Sequence, residues 1–460
     1  MLWRRLCLVR TWWAAGLVSG LIIFGASTGT AQIKRPADPE STAPPAAVVT
    51  ETVDLLKADK AGALNVVARG QGQDRVRLTI RNTSGKRLNV LIPPGLVAAA
   101  AASQGPAGRG GPGGGGFQSM GLGMFSNRPG SFGMFQGSNS STGFQSVPVN
   151  DPFRVPSVTV PAGESLELTV PAVCLNFGLP TPAFRNVFRL MDVDDYSSDL
   201  RVRKSLRSLC LLGTSQGVAQ AVMWRVCNDL PFETMAAEAG KVMNLAEIAL
   251  AARFVQAVDA ASDADLVDPA SLTEGRVFVR VQAEGALARD AKRLGDQLPN
   301  YRLLGLPVRG LEKGELPAAA APALYVRVVL TDSKIGETKG QIQVSSCLMA
   351  DQWTPLGKTS FHDTSSLAVL DGETLARSLD RALAAAFVTV KPAHRSVGST
   401  TLRVENHLPF TLRSLSVKAG SSAGAPTVPF QAIGLGPART ALLPIQAASA
   451  TTDRVELNGL

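Results

Sequence analysis

Histidine is almost missing from this chain. The only three, His362, His394 and His407, fall at no spacing that would let them share an ion, so a histidine-based zinc centre is excluded. Basic clusters are missing too. Lys and Arg outnumber Asp and Glu by 46 to 37, for a formal charge of +9, yet no run of four or more basic residues occurs. Scattered positive charge suits solubility and an attraction to anionic envelope polymers, and it weighs against nucleic acid as a partner. Cysteine is sparse at five, and none lies near residue 31, which excludes a lipidated amino terminus at that point. Low hydrophobicity is not among the deficits. A 45% apolar content supports real cores in two or three domains of ~100 to 200 residues each.

What is present begins with an export signature. Arg4, Arg5 and Arg10 precede an uncharged apolar stretch centred on residues 12–24, and the next charge is Lys34. Gly29, Thr30 and Ala31 offer small residues for cleavage after Ala31. The stretch also approaches the ~20 residues that span a bilayer, so residues 1–31 read as a signal peptide or an uncleaved signal-anchor. Either way the remainder is extracytoplasmic, in the periplasm, at the cell surface or secreted, and it meets the membrane only through this segment. Residues 32–49, rich in Pro and Ala, follow as a tether.

The patterning predicts a multi-domain, mixed β and α+β chain. Short Val-, Leu- and Ile-rich segments at 64–69, 75–80 and 88–92, with a hairpin at 158–170, predict an N-terminal β-sandwich with appended helices over 50–260. Residues 98–150 open with an alanine run and continue as Gly, Ser, Asn, Gln, Phe and Met. They read as a disordered insertion, since so little branched apolar surface cannot offset the entropy of ordering. Helical periods then cover 198–212, 218–226, 232–243 and 245–258, the last opened by an Asn244/Glu247 capping box. A central α+β domain spans 275–391, closed by a helix carrying Leu375, Leu379, Leu383 and Phe387 at four-residue spacing. Residues 397–460 read as a small β-sandwich.

Two constellations could carry chemistry. Gly213-Thr214-Ser215-Gln216-Gly217 has the Gly-x-Ser-x-Gly spacing of a nucleophile elbow, and Asp332 and His362 follow in hydrolase order. Against that triad stand the helical leucine spacing before Gly213 and the lack of an oxyanion loop. Gly213 as a helix C-cap with Ser215 near the next N-cap accounts for the same residues. Asp192-Val193-Asp194-Asp195 begins like a calcium loop, but Tyr196, Ser197 and Arg203 stand where such a loop needs Asp or Asn, Gly and Glu. Gly111, Gly113 and Gly116 match a dinucleotide fingerprint without the flanking strand and helix it needs. No cofactor is expected.

The second constellation pairs Cys174, after a strand, with Gln220 at the head of Gln220-Ala221-Val222-Met223-Trp224 on a helix. It resembles the internal-thioester domains of bacterial surface adhesins, with Ala219 and Val222 where that pattern has Thr and Ala. The resemblance implies that the Cys174 and Gln220 side chains condense into a thioester that captures amines. The alternative is a disulfide, because an oxidising compartment permits one. Cys210 and Cys227 should be offset by ~10 Å along antiparallel helices, beyond the ~7 Å Cα limit of a disulfide. Cys174 to Cys227 is therefore the expected pair, with Cys210 and Cys347 as buried thiols. The function expected is non-catalytic binding or scaffolding of an anionic envelope or surface component. A thioester-forming adhesin is the second reading and a serine hydrolase the third.

Overall fold

The computed structural model describes residues 50–100, 116–123, 145–150, 153–238, 240, 242–262, 266–311, 322–332, 336–349, 352–396, 399–420, 425–431 and 433–460. The expected signal segment 1–31 and tether 32–49 lie outside the described residues. So do residues 101–115 and 124–144 of the expected insertion. The described residues pack as one compact unit of mixed β and α+β structure.

The amino-terminal strands are β1 (Thr50–Asp54), β2 (Leu64–Gly70), β3 (Arg75–Asn82), β4 (Arg87–Leu91) and β5 (Leu96–Ala100). They continue as β6 (Met120–Leu122), β7 (Gln145–Asn150), β8 (Phe153–Val160), β9 (Ser165–Cys174) and β10 (Val187–Asp192). Helix α1 (Leu55–Lys60) starts at Asp54, whose side chain accepts from the Lys57 amide. The expected sandwich is corrected here. Strands β10, β2, β3, β9, β6 and β5 close into a six-stranded barrel, and β1, β4, β8 and β7 form a separate sheet. Closure follows from side-chain size. Ala68, Ala98 and Ala172 alternate with Leu78, Met120 and Leu168 in one buried cluster, and small residues are what a narrow barrel interior needs. Residues 98–100 and 116–123, expected to be disordered, thus supply part of β5 and all of β6, both wholly buried, and residues 145–150 of the same expected insertion form β7, paired with β8.

Strand β5 and the end of β9, residues 170–174, are buried on both faces. Cys174, Ala172 and Ala98 face the barrel core, whereas Val97, Val173 and Leu175 join the main core with the helices that follow. Those helices are α2 (Val193–Tyr196), α3 (Leu200–Leu212), α4 (Gln216–Asn228), α5 (Phe232–Glu238), α6 (Leu245–Ala260) and α7 (Pro269–Thr273). Helix α4 is buried continuously from Gly217 to Trp224, and it lies between β9, α3 and α6.

A six-stranded sheet comes next, built from β11 (Val277–Gln282), β12 (Arg302–Leu303), β13 (Leu306–Gly310), β14 (Ala323–Asp332), β15 (Thr338–Cys347) and β16 (Trp353–Asp363). Its order is β12-β13-β11-β14-β15-β16, with β11 parallel to both neighbours and β14, β15 and β16 antiparallel. Helices α8 (Ala288–Gln297) and α9 (Gly372–Phe387) cover one face. The four-spaced stripe Leu375, Leu379, Leu383 and Phe387 is buried in the same hydrophobic cluster as Val326, Val328 and Val344.

The carboxyl-terminal strands are β17 (Val388–Ser396), β18 (Ser399–Asn406), β19 (Leu412–Ala419), β20 (Thr427–Phe430), β21 (Arg439–Ile445) and β22 (Ala450–Leu457). They form two three-stranded antiparallel sheets, β17-β18-β21 and β20-β19-β22. One hydrophobic cluster runs from Leu206 on α3 through Val326 on β14 to Val455 on β22 and Leu460.

Candidate functional site

The 213–217 motif sits at the junction of two helices. Gly213 ends α3 at φ 66°, a left-handed conformation that glycine adopts without penalty. Ser215 is the N-cap of α4, and its Oγ accepts from the Val218 amide at 3.2 Å. The same hydroxyl donates to Glu247 Oε1 at 3.1 Å. Glu247 is fully buried and also takes the capping-box bond from the Asn244 amide at 3.0 Å. Arg439, on β21, closes the cage: its Nη2 lies 2.5 Å from Glu247 Oε2 and its Nε 3.2 Å away. A side chain at Gly217 would collide with the Glu247 carboxyl, so the second glycine of the motif makes room for that carboxylate. The hydroxyl of Ser215 therefore faces a carboxylate already bound to arginine, and no imidazole. His362 is elsewhere, on β16, half-exposed and 2.8 Å from Glu337 Oε2, and Asp332 ends β14 opposite Thr338. The structure does not bring the three expected triad residues together.

Cys174 and Gln220 do meet, in a way the sequence did not reveal. Strand β3 stops pairing with β9 at Pro171, and Leu175 donates to Ser119 on the β6 side. In an antiparallel ladder that leaves the Cys174 N–H and C=O pointing away from β6, where β3 has ended. Gln220 fills the gap. Its Oε1 accepts from the Cys174 amide and its Nε2 donates to the Cys174 carbonyl, both at 2.8 Å. The amides one turn before and two turns after repeat the device. Gln216 Nε2 donates to the Ala172 carbonyl, and Asn228 bridges the Leu175 carbonyl and the Phe177 amide. One stripe of α4 thus acts as a surrogate strand along the end of β9.

The sulfur looks elsewhere. Cys174 Sγ donates to the Gln73 carbonyl at 3.1 Å, and burial, reinforced by Asp74, pushes its thiol up to about 12. Cys227 is likewise raised to about 12, first by burial and then by Asp199. Cys174, Cys210, Cys227 and Cys347 are all free thiols, so the expected Cys174 to Cys227 bond is not formed. The acidic turn at 192–195 is also committed: Arg207 Nη2 is 2.7 Å from both Asp192 Oδ1 and Asp194 Oδ2. No group of three potential metal ligands occurs among the described residues.

An open cleft of about 360 Å³ lies between α9, the β12 region and β22. Its acids are engaged: Glu373 pairs with Arg377, Asp453 with Lys418, and Asp380 accepts from the Leu304 amide. Burial, outweighing that bond and the nearby Arg454, holds the Asp380 carboxyl above its ordinary 3.8. The cleft can take a small polar ligand. Nothing in the sequence marked it, because its three walls come from separate elements. No protein-family model matches the chain, and no curated protein matches it significantly.

Proposed function

We propose that this chain is a non-catalytic binding or scaffold protein working outside the cytoplasm, with an anionic envelope or surface component as its partner. The export pattern of residues 1–31 supports the location. One observation carries the rest: two side chains that the sequence marks for chemistry, Ser215 and Gln220, are taken up in holding the frame. Ser215 caps α4 and bonds Glu247, and both amide atoms of Gln220 are taken by the Cys174 backbone. A nucleophile needs a base or a lowered pKa, and here the serine meets a carboxylate already bound to arginine, while the Cys174 thiol is raised. With this goes a reading of the two carboxyl-terminal sheets as a small sandwich.

The closeness of Cys174 and Gln220 favours the thioester reading second. Both readings are tested on the folded chain by three treatments followed by intact mass: methylamine, a serine-directed phosphonate, and iodoacetamide at pH 8. The expected result is no adduct at Gln220 or Ser215 and alkylation of the thiols only after unfolding. A methylamine adduct at Gln220, or phosphonate on Ser215, would overturn the proposal.

A further inference from the structure

The six-stranded sheet has a second face. Residues opposite one another in adjacent strands share a face, and alternate residues along a strand do so too. Val277, Val279, Val326, Val328, Ile342 and Val344 point to the main core. Their neighbours in sequence therefore point the other way. On that side, register places Arg280, Arg327, Gln343 and Lys358 in one row across four strands. Lys339 lies two rows beyond Gln343's on the same face of β15, and Arg309 stands opposite Phe278. Strands are ~4.8 Å apart, so the four-strand row is ~14 Å wide.

No Asp or Glu occupies any position of this face on β11, β13, β14, β15 or β16. Within these strands the scattered charge of the sequence is thus sorted by the pleat into positive side chains, with the Glu337 carboxylate at the margin beside Lys339. Arg309, Lys339, Gln341 and Lys358 are exposed, and Arg327 and Gln343 half-buried. Arg309, Arg327, Lys339 and Lys358 make no ion pair with any described residue, and Glu337 at the margin is bonded to His362. Charges held this way leave attraction for something outside the chain.

We propose that this sheet face binds an acidic polysaccharide, a hydroxyl-rich polymer carrying carboxylate groups. The charge sets the sign of the partner, and a row ~14 Å long across four strands suits an extended chain better than a small molecule, which needs a concave site. Gln341, Gln343 and Ser360 add donors and acceptors suited to hydroxyls. Stacked nucleobases are disfavoured, because they need open rings. Phe278 and Tyr325 are only 3% and 9% exposed, locked edge to face with Trp353 at centroid distances of 6.4 and 5.9 Å. This assignment rests on the binding reading above and names its partner and surface.

The test is binding of the full chain to polygalacturonate, with neutral dextran and a single-stranded oligothymidylate as the other arms. Polygalacturonate should bind, weaken steeply as salt is raised, and outcompete both alternatives. The Lys339→Gln/Lys358→Gln variant changes two exposed side chains and should weaken binding about tenfold, through lost attraction, with unchanged thermal unfolding. Arg327→Gln should weaken it independently. Arg381→Gln, in the cleft beside α9, should not. Equal binding by wild type and both sheet-face variants, loss on Arg381→Gln alone, or tighter oligothymidylate binding would overturn the assignment. Failure here with unmodified Ser215 and Gln220 removes only the polymer assignment, whereas an adduct at either residue removes the non-catalytic reading.

Discussion

Replacing Glu247 with alanine should be among the most damaging single changes in this chain. The carboxylate has no exposed surface, and it joins three segments distant in sequence: the N-cap of α4 through Ser215, its own helix α6 through Asn244, and β21 through Arg439. Removing one member of a buried ion pair costs ~3 to 5 kcal/mol, because the partner stays desolvated without its counter-charge. The Arg439 side chain is 25% exposed, which lets some water reach it and places the expected loss at about 3 kcal/mol from the pair. Losing the capping-box acceptor adds up to ~1 kcal/mol. Arg439→Ala should be as costly, since it strands a carboxylate in the interior. The double variant should then be less damaging than the sum of the singles by ~1 to 3 kcal/mol, the signature of residues acting as a unit. Urea unfolding followed by near-ultraviolet circular dichroism measures all three. Single variants within ~1 kcal/mol of wild type, or strict additivity, would refute the view that this cage ties the helices to the carboxyl-terminal sheets.

Two further outcomes follow from particular bonds. Gln220→Ala leaves the Cys174 amide and carbonyl buried without partners and should cost ~1 to 3 kcal/mol for each group so stranded, read from the urea midpoint. A variant as stable as wild type would mean that water or a shifted strand replaces the amide. Asp380 has a folded-state pKa above its ordinary 3.8, so the folded chain binds its proton more tightly than the unfolded one. Its contribution is most favourable below pH 3.8 and declines as pH rises through the folded value. Asp380→Asn keeps an oxygen for the Leu304 amide and should flatten that decline in thermal stability against pH. An unchanged profile would remove Asp380 as its source.

Much of the local structure was legible because it depends on neighbours a few residues apart. The capping box at Asn244 and Glu247, the four-spaced stripe of α9 and the C-cap at Gly213 are events of one or two helical turns. The disorder expected for residues 98–150 fails at 98–100, 116–123 and 145–150, because composition alone does not say which strand a segment pairs with. Alanines are poor core formers on an open sheet, yet they are what a six-stranded barrel interior can hold. That Cys174 and Gln220 lie together is visible in the sequence as a pairing of strand end and helix, but which of their atoms meet depends on where β3 stops.

By itself, then, the sequence determined the periodicities: where strands alternate, where helices start and stop, and that positive charge exceeds negative without clustering. Only the tertiary structure decided that Glu247 meets Arg439 across 192 residues and that Arg327, Lys339 and Lys358 share one face. The physical reason is that strand register is a long-range property. A shift of one residue in pairing would turn every side chain of that face inward, and nothing local to β14, β15 or β16 specifies the pairing until the valines of all three are buried together against α8 and α9.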